Sequence, residues 1–156
     1  GAKGRLEGTV ISDAVNTASR IESLTKTYGA SLIISQSTRR NLVNPGRFTI
    51  RVLDRVRVKG RVEPVMIYEV LDALPRKIKK RRAAYIDTYE AAVKRFWSRE
   101  FEQALRGFTA CEEQDPDDPV VQLFLRRTRW FARQGADPGW TGSFDVESIF
   151  GDGETS

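Results

Sequence analysis

Residues 8–20 read Gly8-Thr9-Val10-Ile11-Ser12-Asp13-Ala14-Val15-Asn16-Thr17-Ala18-Ser19-Arg20, and the fold turns on how this stretch continues. From Asp13 to Tyr28 the apolar positions Ala14, Val15, Ala18, Ile21, Leu24 and Tyr28 recur at helical spacing. Ser12 or Asp13 stands where an N-cap belongs, and Gly29 stands where the helix must stop. Beyond it, Ser31–Ser35 reads as a short buried strand and Gln36–Val43 as a short helix, closed by the turn Asn44-Pro45-Gly46. In Phe48–Val58 the residues Val52, Val56 and Val58 alternate with Arg51, Arg55 and Arg57, the pattern of a half-exposed strand. A turn at Lys59-Gly60 leads to a further strand, Val65–Val70. Helices interleaved with few strands make this part α+β, with too few strands for a complete sheet domain.

The periodicity changes at Leu74-Pro75. Three helices are predicted after it, Arg76–Ser98, Glu100–Gln114 and Asp118–Arg133, the last two separated at Asp115-Pro116. From Gly135 the chain is rich in Gly, Asp and Ser and reads as irregular, with Trp140, Phe144, Ile149 and Phe150 available to pin it to a neighbouring surface. The expected organisation is therefore 1–74, an α+β unit; 75–134, an all-α segment; and 135–156, an irregular acidic tail.

Composition narrows the chemistry. The 156 residues include no His and a single Cys, Cys111. A Ser-His-Asp triad, a Cys-His pair and His- or Cys-built zinc sites are all excluded. Catalysis, if present, must run on carboxylates, Lys and Arg, amides, hydroxyls or a hard metal held by oxygens. A lone thiol suits a reducing, cytoplasmic compartment. The longest near-continuous apolar stretch, Val120–Leu125, is far too short to span a membrane. Residues 1–74 carry 12 Lys and Arg against 7 Asp and Glu, whereas 75–156 are balanced at 14 each. The basic run Arg76–Arg82 could bind nucleic acid or an anionic lipid surface, but it reads first as a solvated helix start or linker that offsets the acidic stretches Glu112–Asp118 and Asp145–Glu154. No interleaved stacking aromatics accompany it, so no nucleic-acid partner is expected.

Asn16 and Arg20 lie four residues apart and so share one helix face, away from most of the apolar positions. An amide above a guanidinium is suited to gripping a sugar and a phosphate. The stretch Gly8–Arg20 resembles the Asn-x-x-x-Arg signature segment of class III nucleotide cyclases. Leu53-Asp54-Arg55-Val56-Arg57-Val58-Lys59-Gly60 and Glu63-Pro64-Val65-Met66-Ile67-Tyr68-Glu69-Val70 resemble that family's closing strands. The resemblance covers about residues 4–72 and corresponds to the C-terminal half of the catalytic domain.

The resemblance implies a partial ferredoxin-like cyclase domain with mixed or antiparallel strands. It also implies a reaction in which the ribose 3′-hydroxyl attacks the α-phosphate of a nucleoside triphosphate and pyrophosphate leaves. By the same resemblance, Asn16 orients the ribose, Arg20 stabilises charge on the α-phosphoryl group, and Lys59 binds the terminal phosphates. Thr9 occupies the purine-reading position and favours ATP over GTP, which would make the parent protein an adenylate cyclase producing cyclic AMP for intracellular signalling. The family's two Mg²⁺ or Mn²⁺ ions are held by aspartates of the domain's first half, which have no counterpart here, so no metal ligand is assigned. Asp13 reads as a helix cap, and Asp54 sits in a strand that the resemblance places away from the metals. Family active sites form between two catalytic domains, so the expected partner is a second cyclase domain in a homodimer, and the chain alone is expected to be inactive.

In the second half, Tyr89, Ala92, Phe96, Phe101, Ala104, Leu105, Phe108 and Pro116 resemble a tetratricopeptide-like helix pair. One and a half repeats are too few to stand alone, so these helices should pack on the first part, on a second copy, or on a protein partner. Trp97 and Trp130 are expected to cap the pair, and Arg126, Arg127 and Arg129 to form a solvated face.

Overall fold

A computed structural model describes residues 17–57 and 63–145. The first part is built from α1 (Thr17–Tyr28), β1 (Ile33–Ser35), α2 (Gln36–Arg40), β2 (Ile50–Arg57) and β3 (Val65–Val70). The second comprises α3 (Arg76–Ala83), α4 (Ile86–Trp97), α5 (Phe101–Gln114), α6 (Pro119–Gln134) and the two-residue strand β4 (Phe144–Asp145). One mixed sheet has the order β1-β3-β2-β4. Strand β3 runs antiparallel to both β1 and β2, while β4 runs parallel to β2. The described residues are therefore α+β, with helices gathered around a small sheet.

Local chemistry sets most element boundaries. Gly29 ends α1 at φ +66°, a left-handed conformation that glycine adopts without steric cost. A Cβ at that position would also stand 2.7 Å from the Pro119 ring, so the glycine lets the start of α6 pack against the end of α1. Ser35 caps α2 by accepting a hydrogen bond from the Thr38 N–H, at 3.2 Å. The predicted Gln36–Val43 helix stops at Arg40, where the Asn41 N–H is shared between the Ser37 and Thr38 carbonyls and the Leu42 N–H bonds back only three residues, to Arg39.

Three expectations need correction. The helix read as Arg76–Ser98 is two helices, α3 and α4, broken at Ala84-Tyr85. The break places the buried Tyr85 hydroxyl 2.6 Å from Asp118 and 3.1 Å from Asp115, partners that a buried phenol requires. The segment from Gly135 is not wholly irregular, since Phe144–Asp145 pair with Val56–Arg57 of β2. Finally, β2 is not half-exposed. Arg51, read as a solvent-facing position, is completely buried, as are Leu53 and Asp54. A β-bulge at Leu53 shifts the register against β3 between Val52 and Asp54.

The reason β2 is buried is that the helical segment covers its outer edge. On the side away from β3, the Val52 N–H donates to the Glu90 carboxylate at 2.8 Å. The Leu53 carbonyl accepts from the Tyr89 hydroxyl at 3.2 Å. Further along, β4 takes the same edge. An edge strand left bare would be a template for another chain, and here side chains of α4 and the tail strand satisfy it.

Charge fixes this attachment. The Arg51 guanidinium lies in the interior between Glu69 of β3 and Asp118 at the start of α6. Its Nε donates to Glu69 Oε1 at 2.8 Å, and its two terminal nitrogens reach the two Asp118 oxygens at 2.7 and 3.0 Å. Asp118 also accepts from the Val120 N–H at 3.1 Å and so caps α6. Arg82 of α3, itself buried, donates to Asp115 at 3.3 Å. Burial alone would raise the Asp118 carboxyl, but its hydrogen bonds to Arg51 and the adjacent positive charge outweigh this and hold it below its ordinary value.

One apolar core spans both parts of the chain, running from Leu24 and Tyr28 through Val52, Leu53 and Val56 to Phe96, Phe108, Phe124 and Leu125. The Phe108 and Phe124 rings stack at 5.1 Å, and Tyr89 meets both edge-on. The helices α4 and α5 approach closely because Gly107 faces Ala92, where a Cβ on Gly107 would meet the Ala92 Cβ at 2.7 Å. Cys111 is buried and its thiol is pushed up to about 12, chiefly by burial. It is a packed thiol and not a reactive one. Trp130 is half exposed and meets Phe131 edge-on at 5.0 Å, whereas Trp97 is partly buried with the Arg55 guanidinium 4.4 Å above its ring.

Two outcomes follow for stability. Gly to Ala in a helix normally stabilises by about 1 kcal/mol, but Gly107→Ala should destabilise by about 1–2 kcal/mol in urea melts, because α4 and α5 must part. Asp118 has a folded pKa below its unfolded value, so its contribution is complete above about pH 4 and is lost as pH falls through the folded value. Asp118→Asn should lower stability at pH 7 by about 3 kcal/mol, by leaving Arg51 under-compensated. The variant should then lose less than wild type between pH 7 and pH 3, measured by urea melts at the two pH values.

Candidate functional site

Of the residues singled out in the sequence, Arg20 lies in the first turn of α1. Thr9, Asn16 and Lys59 fall outside the described residues, as do Asp13, Ile149 and Phe150. What the structure does describe is the frame that carries them. Helix α1 begins at Thr17, the residue after Asn16 in the sequence. The connection bearing Lys59 leaves β2 after Arg57 and returns at Val65, next to the last β2–β3 pair, Val56 with Val65.

That frame is held by a second buried charge cluster. The Tyr28 hydroxyl, at the C-terminal end of α1, donates to Asp54 of β2 at 2.6 Å. Arg127 of α6 donates to the same Asp54 oxygen, also at 2.6 Å. The Arg127 guanidinium lies 3.9 Å above the Phe144 ring of β4 and 5.4 Å from the Tyr28 ring. The second Asp54 oxygen accepts the Arg55 N–H at 2.7 Å. Helix α1, strand β2, helix α6 and the tail strand therefore meet on one carboxylate.

The electrostatics hold Tyr28 neutral and Arg127 charged. Burial raises the Tyr28 phenol well above its ordinary value and the Asp54 charge raises it further, so Tyr28 stays a neutral donor. Burial would lower the Arg127 pKa, but Asp54 reverses this and the guanidinium stays charged. Asp54 is thus engaged by a hydroxyl and a guanidinium.

Sequence reading missed Arg127. It was grouped with Arg126 and Arg129 on a solvated face; those two are exposed, while Arg127 is largely buried. A signal was present, because Arg127 lies three residues after Phe124 and four before Phe131, in phase with the apolar stripe of α6. The tail is fastened nearby. The Arg55 guanidinium donates to the Thr141 carbonyl at 3.1 Å, and Arg99 donates to the carbonyls of Pro138 and Trp140 at 2.9 and 2.8 Å. Trp140 packs against Phe96, Phe101 and Phe131, as the sequence led one to expect of it. Among the described residues there is no group of three or more His, Cys, Asp or Glu able to hold a metal ion, and no helix long and apolar enough to cross a membrane.

Comparison with known proteins gives the family. No family model matches the chain, and no solved structure matches it. Three curated proteins do. The adenylate cyclase of Anabaena cylindrica is 52% identical over 71 residues, 45% of this chain and 14% of that protein. The "Adenylate cyclase, terminal-differentiation specific" of Dictyostelium discoideum is 34% identical over 128 residues, 81% of this chain and 6% of that protein. Adenylate cyclase 1 of Rhizobium meliloti (strain 1021) is 39% identical over 71 residues, 46% of this chain and 10% of that protein. A match over 81% of the chain is longer than the 74 residues before Pro75 can supply, so the likeness to the Dictyostelium protein runs on into the helices. The chain spans between 6% and 14% of the length of these relatives. By these similarities it belongs to the adenylate cyclases, as a part of the catalytic domain.

Proposed function

We propose that this chain supplies the ribose- and phosphate-handling side of an adenylate cyclase active site, in a parent protein that converts ATP to cyclic AMP and pyrophosphate. The observation that carries this reading is the Asn16-x-x-x-Arg20 pair leading into α1, in a chain whose curated relatives are named adenylate cyclases.

In this reading Asn16 holds the ribose so that its 3′-hydroxyl faces the α-phosphorus. The new bond joins that oxygen to phosphorus as the bond to the pyrophosphate oxygen breaks. Arg20 aims its guanidinium at the charge that builds on the α-phosphoryl oxygens, and Lys59 neutralises the terminal phosphates. Thr9 contacts the purine edge. The effect is positioning together with preorganised positive charge. The Mg²⁺ or Mn²⁺ ions that such chemistry uses would be held by carboxylates other than those described here, since Asp54, Asp115 and Asp118 are committed to guanidinium groups. The active site would be completed by a second cyclase domain, most simply in a homodimer. The α4–α6 helices would serve as a tetratricopeptide-like docking segment. A second reading, a non-catalytic interaction module on a cyclase scaffold, draws on the extensive burial of these helices against the sheet.

A chimera separates the two readings. When the 71-residue segment of the Anabaena cylindrica enzyme is replaced by the matching segment of this chain, the chimera should form cyclic AMP from ATP with Mn²⁺. Arg20→Ala within it should lower kcat about a hundredfold or more, and Lys59→Ala should chiefly raise KM for ATP. An active chimera indifferent to Arg20→Ala would overturn the site assignment. An inactive but folded chimera would favour the non-catalytic module. The isolated 156-residue chain should form no cyclic AMP.

A further inference from the structure

We propose that the end of the sheet remote from the Lys59 turn is a docking face for an anionic lipid bilayer. This inference stands apart from the proposed catalytic reading, because it uses neither Asn16, Arg20 nor Lys59.

Three stretches of chain converge at that end. The Val70 N–H donates to the Leu32 carbonyl at 3.0 Å, and the Leu71 N–H donates to the Thr49 carbonyl at 2.9 Å. Asp72 then accepts from the Thr49 N–H at 2.7 Å and from Lys79 Nζ at 2.6 Å, which draws the start of α3 to the same place. The entry to β1, the entry to β2, the exit of β3 and the basic helix α3 thus adjoin.

The exposed side chains of the stretches leading to and from that end are of two kinds. Val43, Leu32 and Phe48 are 91%, 43% and 40% exposed, and they are three of the four large exposed hydrophobic residues among the described ones. The fourth, Trp130, lies on α6. The same stretches carry the exposed cations Arg39, Arg40 and Arg47, and α3 carries the exposed Arg76, Lys77 and Lys80. No Asp or Glu occurs from Ala30 to Leu53 or from Ala73 to Ile86, and Asp72 between them is ion-paired to Lys79. These stretches therefore combine exposed apolar side chains with exposed cations, bordered by the acidic Asp115–Asp118 turn that Arg51 and Arg82 hold.

That combination matches a bilayer interface. Guanidinium and ammonium groups meet lipid phosphates and carboxylates while Val43, Leu32 and Phe48 enter the acyl boundary. A nucleic acid would engage the same cations but would gain nothing from Leu32 and Val43, which have neither a π face for stacking nor a hydrogen-bonding group. The face lies at the Ile50–Val70 end of the β2–β3 hairpin, whereas the connection bearing Lys59 leaves from the Val56–Val65 end.

Vesicle sedimentation of the whole chain tests this. At about 0.1 M salt the chain should bind phosphatidylcholine vesicles containing phosphatidylserine and not vesicles of phosphatidylcholine alone. Lys77→Glu with Lys80→Glu should weaken that binding at least about tenfold. Val43→Asp should weaken it severalfold. Val43 is almost fully exposed, so this variant should keep the wild-type urea midpoint and any loss of binding reports the face itself. Three results would each overturn the proposal: no binding to the phosphatidylserine vesicles, binding unchanged by Val43→Asp, or equally tight binding of a DNA duplex at the same salt that Val43→Asp leaves intact.

Discussion

The guanidinium of Arg51 is the constraint on which the arrangement depends. Removing a guanidinium from water costs several kcal/mol, and only close carboxylates with good geometry offset it. Glu69 on the neighbouring strand supplies one, and Asp118 at the head of α6 supplies the other. Since Asp118 also caps α6, the start of that helix is held against β2. Once it is there, α4 lies along the outer edge of the strand, and Glu90 and Tyr89 take the backbone groups that β3 does not. The Arg82–Asp115 pair and the Tyr85 hydroxyl extend the same cluster toward α3.

A second carboxylate, Asp54, repeats this logic midway along α6, at Arg127. Through it the C-terminal end of α1, the strand leading to the Lys59 turn, and the tail strand are joined to one helix by Tyr28, Arg127 and Phe144. The two elements that lead to the proposed nucleotide-handling residues are therefore both fastened to the helical segment. A relative named as an adenylate cyclase matches far enough to include part of those helices. Under the proposed function, this fastening is a route by which anything that shifts α6 would shift α1 and the hairpin together.

Much of the fold was legible because local patterns control local structure. The periodicity of Asp13–Tyr28 and the glycine after it predicted α1, and the structure describes that helix from Thr17 to its stop at Gly29. The valine alternation of β2, the strand Val65–Val70 and the helices α5 and α6 were likewise readable to within a residue or two. The failures have a common cause. Arg51 and Arg127 look like surface residues because burial of a charge depends on partners far away in sequence, Asp118 for one and Asp54 for the other. The break at Ala84-Tyr85 escaped notice for the same reason, since the hydroxyl that benefits from it bonds residues 30 or more positions away. Of the candidate site, the sequence supplied the residue types and their spacing, and the described structure adds the charge cluster that fixes their supporting elements.

By itself, then, the sequence determined the kinds of elements, their order, the exclusion of histidine and thiol chemistry, and the likeness to nucleotide cyclases carried by Gly8–Arg20 and the two closing strands. Tertiary structure alone decided that the helices belong on the outer edge of β2, that β4 joins the sheet, and that two arginines serve as interior struts. The physical reason is range: helix and strand periodicity are properties of adjacent residues, whereas the stability of a buried charge depends on which distant carboxylate the fold brings beside it.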